Sequence, residues 1–395
     1  MKRPVYLDHN ATTPVDPRVV EAMLPCLTEH FGNPASRTHA YGWAAARLVE
    51  RSRERVAAAL GAHPDEVVFT SGATESNNLA IKGVAWALRE RGRHLVTVAT
   101  EHKAVLDPCR RLAAEGFEVT VLPVDRHGRV EPEAVAAALR RDTVLVSVML
   151  ANNETGTLQP LAAIAAVCRA HDVLLHTDAT QAVGKIAVDI GALGVDLLSL
   201  SGHKVYGPRG VGALIVRRRR PRLRLVPLLD GGGHEGGARS GTLNTPGIVG
   251  LARALEIAGD ELADEGRRLT ALRERLRDGI TSGLDGVHEN GHPTERLPNT
   301  LNLSFEGVDG NALLVGLSEV AVSAGSACTS AEPKPSHVLA ALGVPKALAA
   351  ASLRFSLGRG NTEQAIDTTV AAVRRVVAGL RGGSPLHRPP ATPGS

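Results

Sequence analysis

Lys204 ends the segment Ser201-Gly-His-Lys204, directly after the apolar run Val195-Asp-Leu-Leu-Ser-Leu200. A lysine held where a buried strand ends presents one amine to a carbonyl, to form an imine, or to a phosphate. Asp178 closes an earlier run of the same kind, Val173-Leu-Leu-His-Thr-Asp178. A lysine and a carboxylate on successive strand ends are what pyridoxal phosphate requires: an imine partner and a counter-charge for the pyridinium nitrogen. The chain has seven lysines against thirty-eight arginines, so Lys204 is not one of a crowd.

Further polar clusters follow other apolar runs. Ser71-Gly-Ala-Thr-Glu-Ser-Asn77 follows Val67-Val-Phe-Thr70, and its small residues and the Thr74 hydroxyl suit an anion at a helix N-terminus. Ser201 and His203 offer further donors to the same anion, although for His203 alone a structural hydrogen bond is the simpler reading. Glu101-His102 follows the second run, Asn152-Asn153-Glu154 the fourth, and Asp178 to Gln181 the fifth. His102 suits ring stacking or acid–base work near neutral pH, or a bond to a neighbouring carbonyl. Gln181 reads as a donor to a phenolic oxygen or as an ordinary polar helix start. Arg354 lies inside the apolar run Ser352-Leu-Arg-Phe-Ser-Leu357, where a guanidinium needs an anion, either a buried partner or a substrate carboxylate. Cys328 sits among small residues in Ser323-Ala-Gly-Ser-Ala-Cys-Thr-Ser-Ala331, a setting that suits an exposed nucleophile. Cys26, Cys109 and Cys168 fall in helix-like apolar patterns and read as packing. His171, His176 and Asp178 offer a weak metal alternative without a further ligand at telling spacing.

The elements that must position these groups follow from periodicity. Seven short runs, at 67–70, 95–99, 119–122, 144–148, 173–175, 197–200 and 211–216, alternate with helical patterns such as 78–91, 104–115, 132–140 and 161–170. Continuous rather than alternating apolar runs predict a largely parallel sheet covered on both faces, hence a doubly wound α/β domain. Ligands of such sheets bind beyond the C-terminal strand ends, where the clusters gather. A Gly-rich connection at 231–237 leads to a charged helical pattern over 248–280. Strand-like runs at 300–305, 320–323 and 352–357 and a helix over 362–380 predict a smaller α+β unit. The Pro-rich residues 383–395 read as a disordered tail.

At 395 residues, with 43% apolar and 22% charged residues, the chain suits a globular protein of two domains or of one large α/β unit with an appendage. A net charge of +4 and ten aromatic residues argue against nucleic-acid binding as the main role. The arginines at 217–220 read as a solvated strand end. No apolar stretch is long enough to span a membrane and no signal-peptide core is present, so a cytoplasmic protein with reduced thiols is expected.

In combination, Leu7-Asp-His-Asn-Ala-Thr-Thr-Pro14, Phe69-Thr-Ser-Gly-Ala-Thr-Glu-Ser76, Thr100-Glu-His-Lys-Ala-Val105, Ser201-Gly-His-Lys-Val-Tyr-Gly-Pro208, Arg239-Ser-Gly-Thr-Leu243 and Gly325-Ser-Ala-Cys-Thr-Ser330 closely resemble the cysteine desulfurases. These are pyridoxal-phosphate enzymes of the class V aminotransferase type that supply sulfur for iron–sulfur clusters, and the resemblance runs from about residue 4 to 386. It implies an aspartate aminotransferase-like fold. The large domain would cover 16–258; residues 1–15 and 259–382 would form the small domain, which carries the cysteine loop.

The resemblance also implies roles. Lys204 would hold the cofactor as an imine, Asp178 would pair with the pyridinium nitrogen and Gln181 with the phenolic oxygen. His102 would stack on the ring and assist proton transfer. Ala73, Thr74, Ser201 and His203 would bind the phosphate, joined by Thr242 from the second subunit of a homodimer. Asn153 would serve both cofactor and substrate, and with Arg354 would hold the carboxylate of L-cysteine. Cys328 would attack the substrate sulfur, leaving an enzyme persulfide and L-alanine, and would be a possible transient iron–sulfur ligand. The persulfide would pass to a scaffold or another sulfur-acceptor protein. Beyond residue 386 the Pro-rich tail departs from the apolar, aromatic-containing tail of housekeeping members. Selenocysteine lysis, transamination and cofactor binding without turnover are the competing readings.

Overall fold

In the computed structural model, which describes residues 3–218, 223–324 and 336–382, one seven-stranded sheet forms the larger core. In chain order its strands and covering helices are preceded by β1 (Val5–Tyr6), α1 (Pro17–Thr28) and α2 (Ala40–Ala59). They then run β2 (Val67–Thr70), α3 (Ala73–Ala87), β3 (His94–Val98), α4 (Lys103–Ala114), β4 (Glu118–Leu122), α5 (Pro132–Ala138) and β5 (Thr143–Ser147). The series closes with α6 (Leu161–Ala170), β6 (Leu174–Asp178), α7 (Ile190–Leu193), β7 (Leu197–Ser201) and β8 (Gly212–Val216). All seven strands coincide with apolar runs read from the sequence, to within about one residue at most ends. The largest differences lie at the 173–175 run, which extends to Asp178, and at α3. Periodicity placed that helix at 78–91, but it begins at Ala73, because the polar turn before Asn78 is already helical.

The strand order is β2-β8-β7-β6-β5-β3-β4, parallel except for β8, which is antiparallel to both of its neighbours. The chain reverses direction across the sheet between β3 and β5, so crossovers diverge there and leave a crevice at the C-terminal strand ends. β3, β5, β6 and β7 are buried along their whole lengths, as continuous apolar runs require.

The rest of the described chain comprises α8 (Thr245–Thr281), β9 (Val287–Asn290), β10 (Thr300–Phe305), α9 (Gly310–Gly316), β11 (Val320–Ala321) and β12 (Ser323–Ala324), then α10 (His337–Ala341), α11 (Lys346–Ala350), β13 (Ser352–Ser356) and α12 (Glu363–Gly382). Strands β12-β13-β10-β9 form an antiparallel sheet. Helix α8 belongs to both cores. Ile248, Leu251 and Leu255 pack with the large sheet, whereas Leu269, Leu272, Leu276 and Ile280 pack with β10, β13 and α12. The N-terminal segment joins the second core: β1 pairs with β11, Asp8 bridges to Ser356, and Leu7 is fully buried there.

His176 is a buried polar residue of the large sheet that is matched on both sides. His176, on β6, has Nδ1 2.8 Å from Ser147 Oγ on β5 and Nε2 3.0 Å from Ser199 Oγ on β7. Both ring nitrogens are thus engaged by hydroxyls, and among the described residues no group of three His, Cys, Asp or Glu side chains could hold a metal. Burial lowers the His176 pKa to about 4, against the opposing pull of the Asp178 carboxylate. A histidine depressed on folding stabilises above its unfolded pKa of 6.5 and loses that contribution as pH falls toward 4. Urea unfolding is therefore expected to show wild type losing about 2 kcal/mol between pH 7 and pH 5 on account of this group. A His176→Gln variant should lack that part of the slope; an identical slope in the variant would remove His176 as its source.

Candidate active site

A cleft of about 810 Å³ opens at the C-terminal ends of these strands. Five polar clusters seen in the sequence each contribute to its lining, through residues that include Thr74, His102, Asn153, Asp178 and Lys204. Ala73, Gln181, Ser201, His203 and Arg354 line it as well. Not every member of the clusters faces the cleft. Asn152 turns inward, accepting from the amides of Glu154 and Thr155 and donating to Thr100 O. Glu101 is fully buried and accepts from Met149 N, and burial pushes its carboxyl well above the usual carboxylate range.

One end of the cleft suits an anion. Gly72, the N-cap of α3, has a φ of +149°, where side chains are strained, and no side chain caps the first amides of the helix. A Cβ built on Gly72 would stand 3.5 Å from Ser201 Oγ, inside this cradle. Thr74 is exposed beside it, and His203 lies opposite with Nδ1 3.2 Å from Thr12 Oγ1. Desolvation, then the Lys204 cation, lowers the His203 pKa to about 4, so the ring is neutral near pH 7.

The back of the cleft carries Asp178. Its Oδ2 accepts from Asn77 Nδ2 at 2.7 Å and its Oδ1 from Thr180 N at 3.0 Å, which fixes the carboxylate plane. Asn77 is buried on α3, and Thr180 lines the cleft while its Oγ1 is itself buried without a hydrogen-bond partner. Neither was singled out by sequence. Asn77 belongs to the 71–77 cluster, but nothing in its spacing tells a carboxylate clamp from a helix residue.

Lys204 donates to Asn10 O at 2.5 Å and Ala11 O at 2.6 Å, carbonyls of the N-terminal segment. Gln181 Nε2 also donates to Asn10 O, at 2.9 Å. His102 caps α4: its Nδ1 accepts from Ala104 N at 3.1 Å, a structural bond of a kind the sequence reading did not consider. The ring still faces the cleft, whose walls desolvate it and lower its pKa against the pull of Asp178. Of the two readings of the buried Arg354 guanidinium, the structure shows the buried partner. Arg354 Nη2 pairs with Asp8 Oδ1 at 2.7 Å and its Nη1 donates to Asn153 O at 3.1 Å, while the side chain lines the cleft.

Cys328 lies outside the described residues, but the chain on both sides of its segment meets the cleft. Ala324 lines it, as do Ser336 and His337, which are anchored to Glu154 Oε2 at 2.5 Å and to Glu101 O at 2.9 Å. Thr242 is exposed and does not line its own chain's cleft, and Arg239, in the same motif, is tied to Glu75 at 2.8 Å. Cys26, Cys109 and Cys168 are buried, and burial pushes Cys109 up to about 12.

Residues 5–369 match the aminotransferase class-V family, and the chain belongs to that family. Within it, the chain sits among the cysteine desulfurases. The cysteine desulfurase IscS of Anaeromyxobacter dehalogenans (strain 2CP-C) is 55% identical over 387 residues, which cover 98% of this chain and 96% of the relative. A solved NifS-like protein superposes with a TM-score of 0.89 at 40% identity, covering 95% of this chain and all of the other. SspA in complex with cysteine superposes with a TM-score of 0.79 at 40% identity, covering 89% of this chain and 98% of the other.

Proposed function

We propose that this protein is a pyridoxal-phosphate-dependent cysteine desulfurase that converts L-cysteine to L-alanine and passes the sulfur to a protein acceptor. The observation that carries the reading is the convergence of Lys204, the clamped Asp178 carboxylate and the uncapped start of α3 on one cleft. Lys204 would hold the cofactor by its amine, Asp178 would face the ring nitrogen and Gln181 the phenolic oxygen. Ala73, Thr74, Ser201 and His203 would hold the phosphate, with Thr242 of a second copy. Bound there, pyridoxal phosphate supplies an electron sink that makes the C–S bond of cysteine labile.

The protein's own groups do the rest. Arg354, oriented by Asp8 and the Asn153 carbonyl, would bind the substrate carboxylate with Asn153. His102, held below its ordinary pKa, is neutral near pH 7 and can accept a proton beside Lys204. Cys328 as thiolate would form an S–S bond to the substrate sulfur as the Cβ–S bond breaks. The electron pair goes to the carbon fragment, which gains a proton and leaves as alanine.

Two observations favour a homodimer. Thr242 lies outside the cleft of its own chain, and Val20, Leu24, Leu27, Phe31, Tyr41 and Trp43 form an exposed apolar face on α1, α2 and the chain between them. Among the described residues no helix is long and apolar enough to cross a membrane.

The purified yellow protein, given L-cysteine and a reducing thiol, is expected to release alanine and sulfide in equal amounts. A keto acid in place of alanine would mark a transaminase instead. No product with the cofactor absorbance intact would sink the desulfurase reading.

A further inference from the structure

Behind the wall formed by Asn10, Gln181 and Lys204 lies a second, much smaller cavity of about 10 Å³. Lys204 lines both spaces, whereas Lys185 lines only the rear one. Lys185 is four residues after Gln181, and its Nζ lies 2.7 Å from Gln181 Oε1 and 3.1 Å from Asn10 Oδ1. Neither the sequence motifs nor the proposed chemistry uses this lysine.

The hydrogen-bond polarity of the wall follows from groups that can act in only one sense. Backbone carbonyls only accept, so Asn10 O fixes the nitrogen end of Gln181 toward itself, and Asn153 O does the same for Asn10 Nδ2 at 3.2 Å. The oxygen ends of both amides then face Lys185, which supplies a donor to each. Asn10 Oδ1 has one more partner, Asn299 Nδ2 at 3.2 Å. With Gln181 Oε1 engaged behind the wall and one N–H spent on Asn10 O, the second Nε2 hydrogen remains on a side chain that lines the cleft.

We propose that Lys185 is a positioning residue, which holds the Gln181 amide from behind so that its N–H serves the phenolic oxygen of the cofactor. The proposal rests on the function proposed above and names what orients one of its residues. It does not depend on the charge of Lys185, since an amine in either protonation state has the two N–H donors that the two oxygens need. Desolvation, followed by the Lys204 and Arg354 cations, pushes the ammonium well below lysine's ordinary range, against the pull of Glu265. His9 and His203 are the other titratable groups whose charge Lys185 affects.

The test is the pH midpoint of the visible absorbance of the holoenzyme, without substrate, in Lys185→Met, Gln181→Ala and the double variant. A donor to the phenolic oxygen stabilises its anion, so loss of that donor raises the midpoint. Each single variant is expected to raise it by about one pH unit, a tenfold change in proton affinity, and the double variant to match Gln181→Ala. No shift in Gln181→Ala would overturn the role of Gln181 itself. A shift in Gln181→Ala with none in Lys185→Met would overturn only the role of Lys185. A Lys185→Met shift that persists when Gln181 is absent would mean action through charge, and would overturn positioning. If Lys185→Met does not fold, Lys185→Gln serves, because its amide can accept as well as donate and leaves the polarity unfixed; an unchanged midpoint there overturns the proposal.

Discussion

Lys204→Ala is expected to fold, to bind no cofactor covalently and to lose L-cysteine turnover by about four orders of magnitude or more. Lys204 lines the cleft together with Asp178, and the approach of its amine is fixed by donation to Asn10 O and Ala11 O. Truncation removes both the covalent anchor and the donor to two carbonyls. The measurements are the visible absorbance of the purified variant after incubation with pyridoxal phosphate, and alanine formation. Without cofactor, loss of the two bonds should also lower stability, by about 1–3 kcal/mol in urea unfolding. A variant that keeps the wild-type absorbance and turnover would remove Lys204 from the mechanism.

Cys328→Ala is expected to keep the absorbance of the wild type while alanine release falls by about three orders of magnitude. That separation distinguishes the sulfur acceptor from the groups that hold the cofactor. The ground for it is the chain on either side. Ala324 and Ser336 both line the cleft, and four residues of extended chain from Ala324 reach at most about 14 Å. The three thiols among the described residues are buried, so none of them competes for the role. Cysteine-dependent alanine release should be measured with reducing thiol present, together with trapping of a persulfide on the protein. Equal release from variant and wild type would remove Cys328 and favour a lyase.

Much of this was legible because the large sheet is parallel and buried. Strands such as Thr143–Ser147 and Leu197–Ser201 must be continuous apolar runs, and their polar ends stand out against them. Hence Asp178, Lys204 and His102 could be found from type and position alone. What could not be read was the support behind them. Asn77 reaches Asp178, and Lys185 reaches Asn10, between elements far apart in the chain, and a polar residue at a helix start looks the same whether or not a carboxylate lies across from it. Arg354 shows the same limit in another form. Its burial demanded an anion, but that the anion is Asp8, 346 residues away, depends on how the N-terminal segment is laid against β13. The start of α3 was misplaced because helical periodicity is carried by apolar residues, and its first turn is small and polar.

The placement of that N-terminal segment sets an order of assembly. Residues 5–10 are synthesised before the rest of the described fold, yet their partners include Val320, Ala321 and Ser356, and Asn10 also meets Asn299 and Thr300. The segment that receives Lys204 is therefore held from two sides, by Asn153, Gln181 and Lys185 and by the last third of the chain. A nascent chain can complete the large sheet while its floor at Asn10 still lacks the contacts with Asn299, Thr300 and Ser356. A chain broken off before β13 would carry the lysine with only part of the support for the surface that aims it.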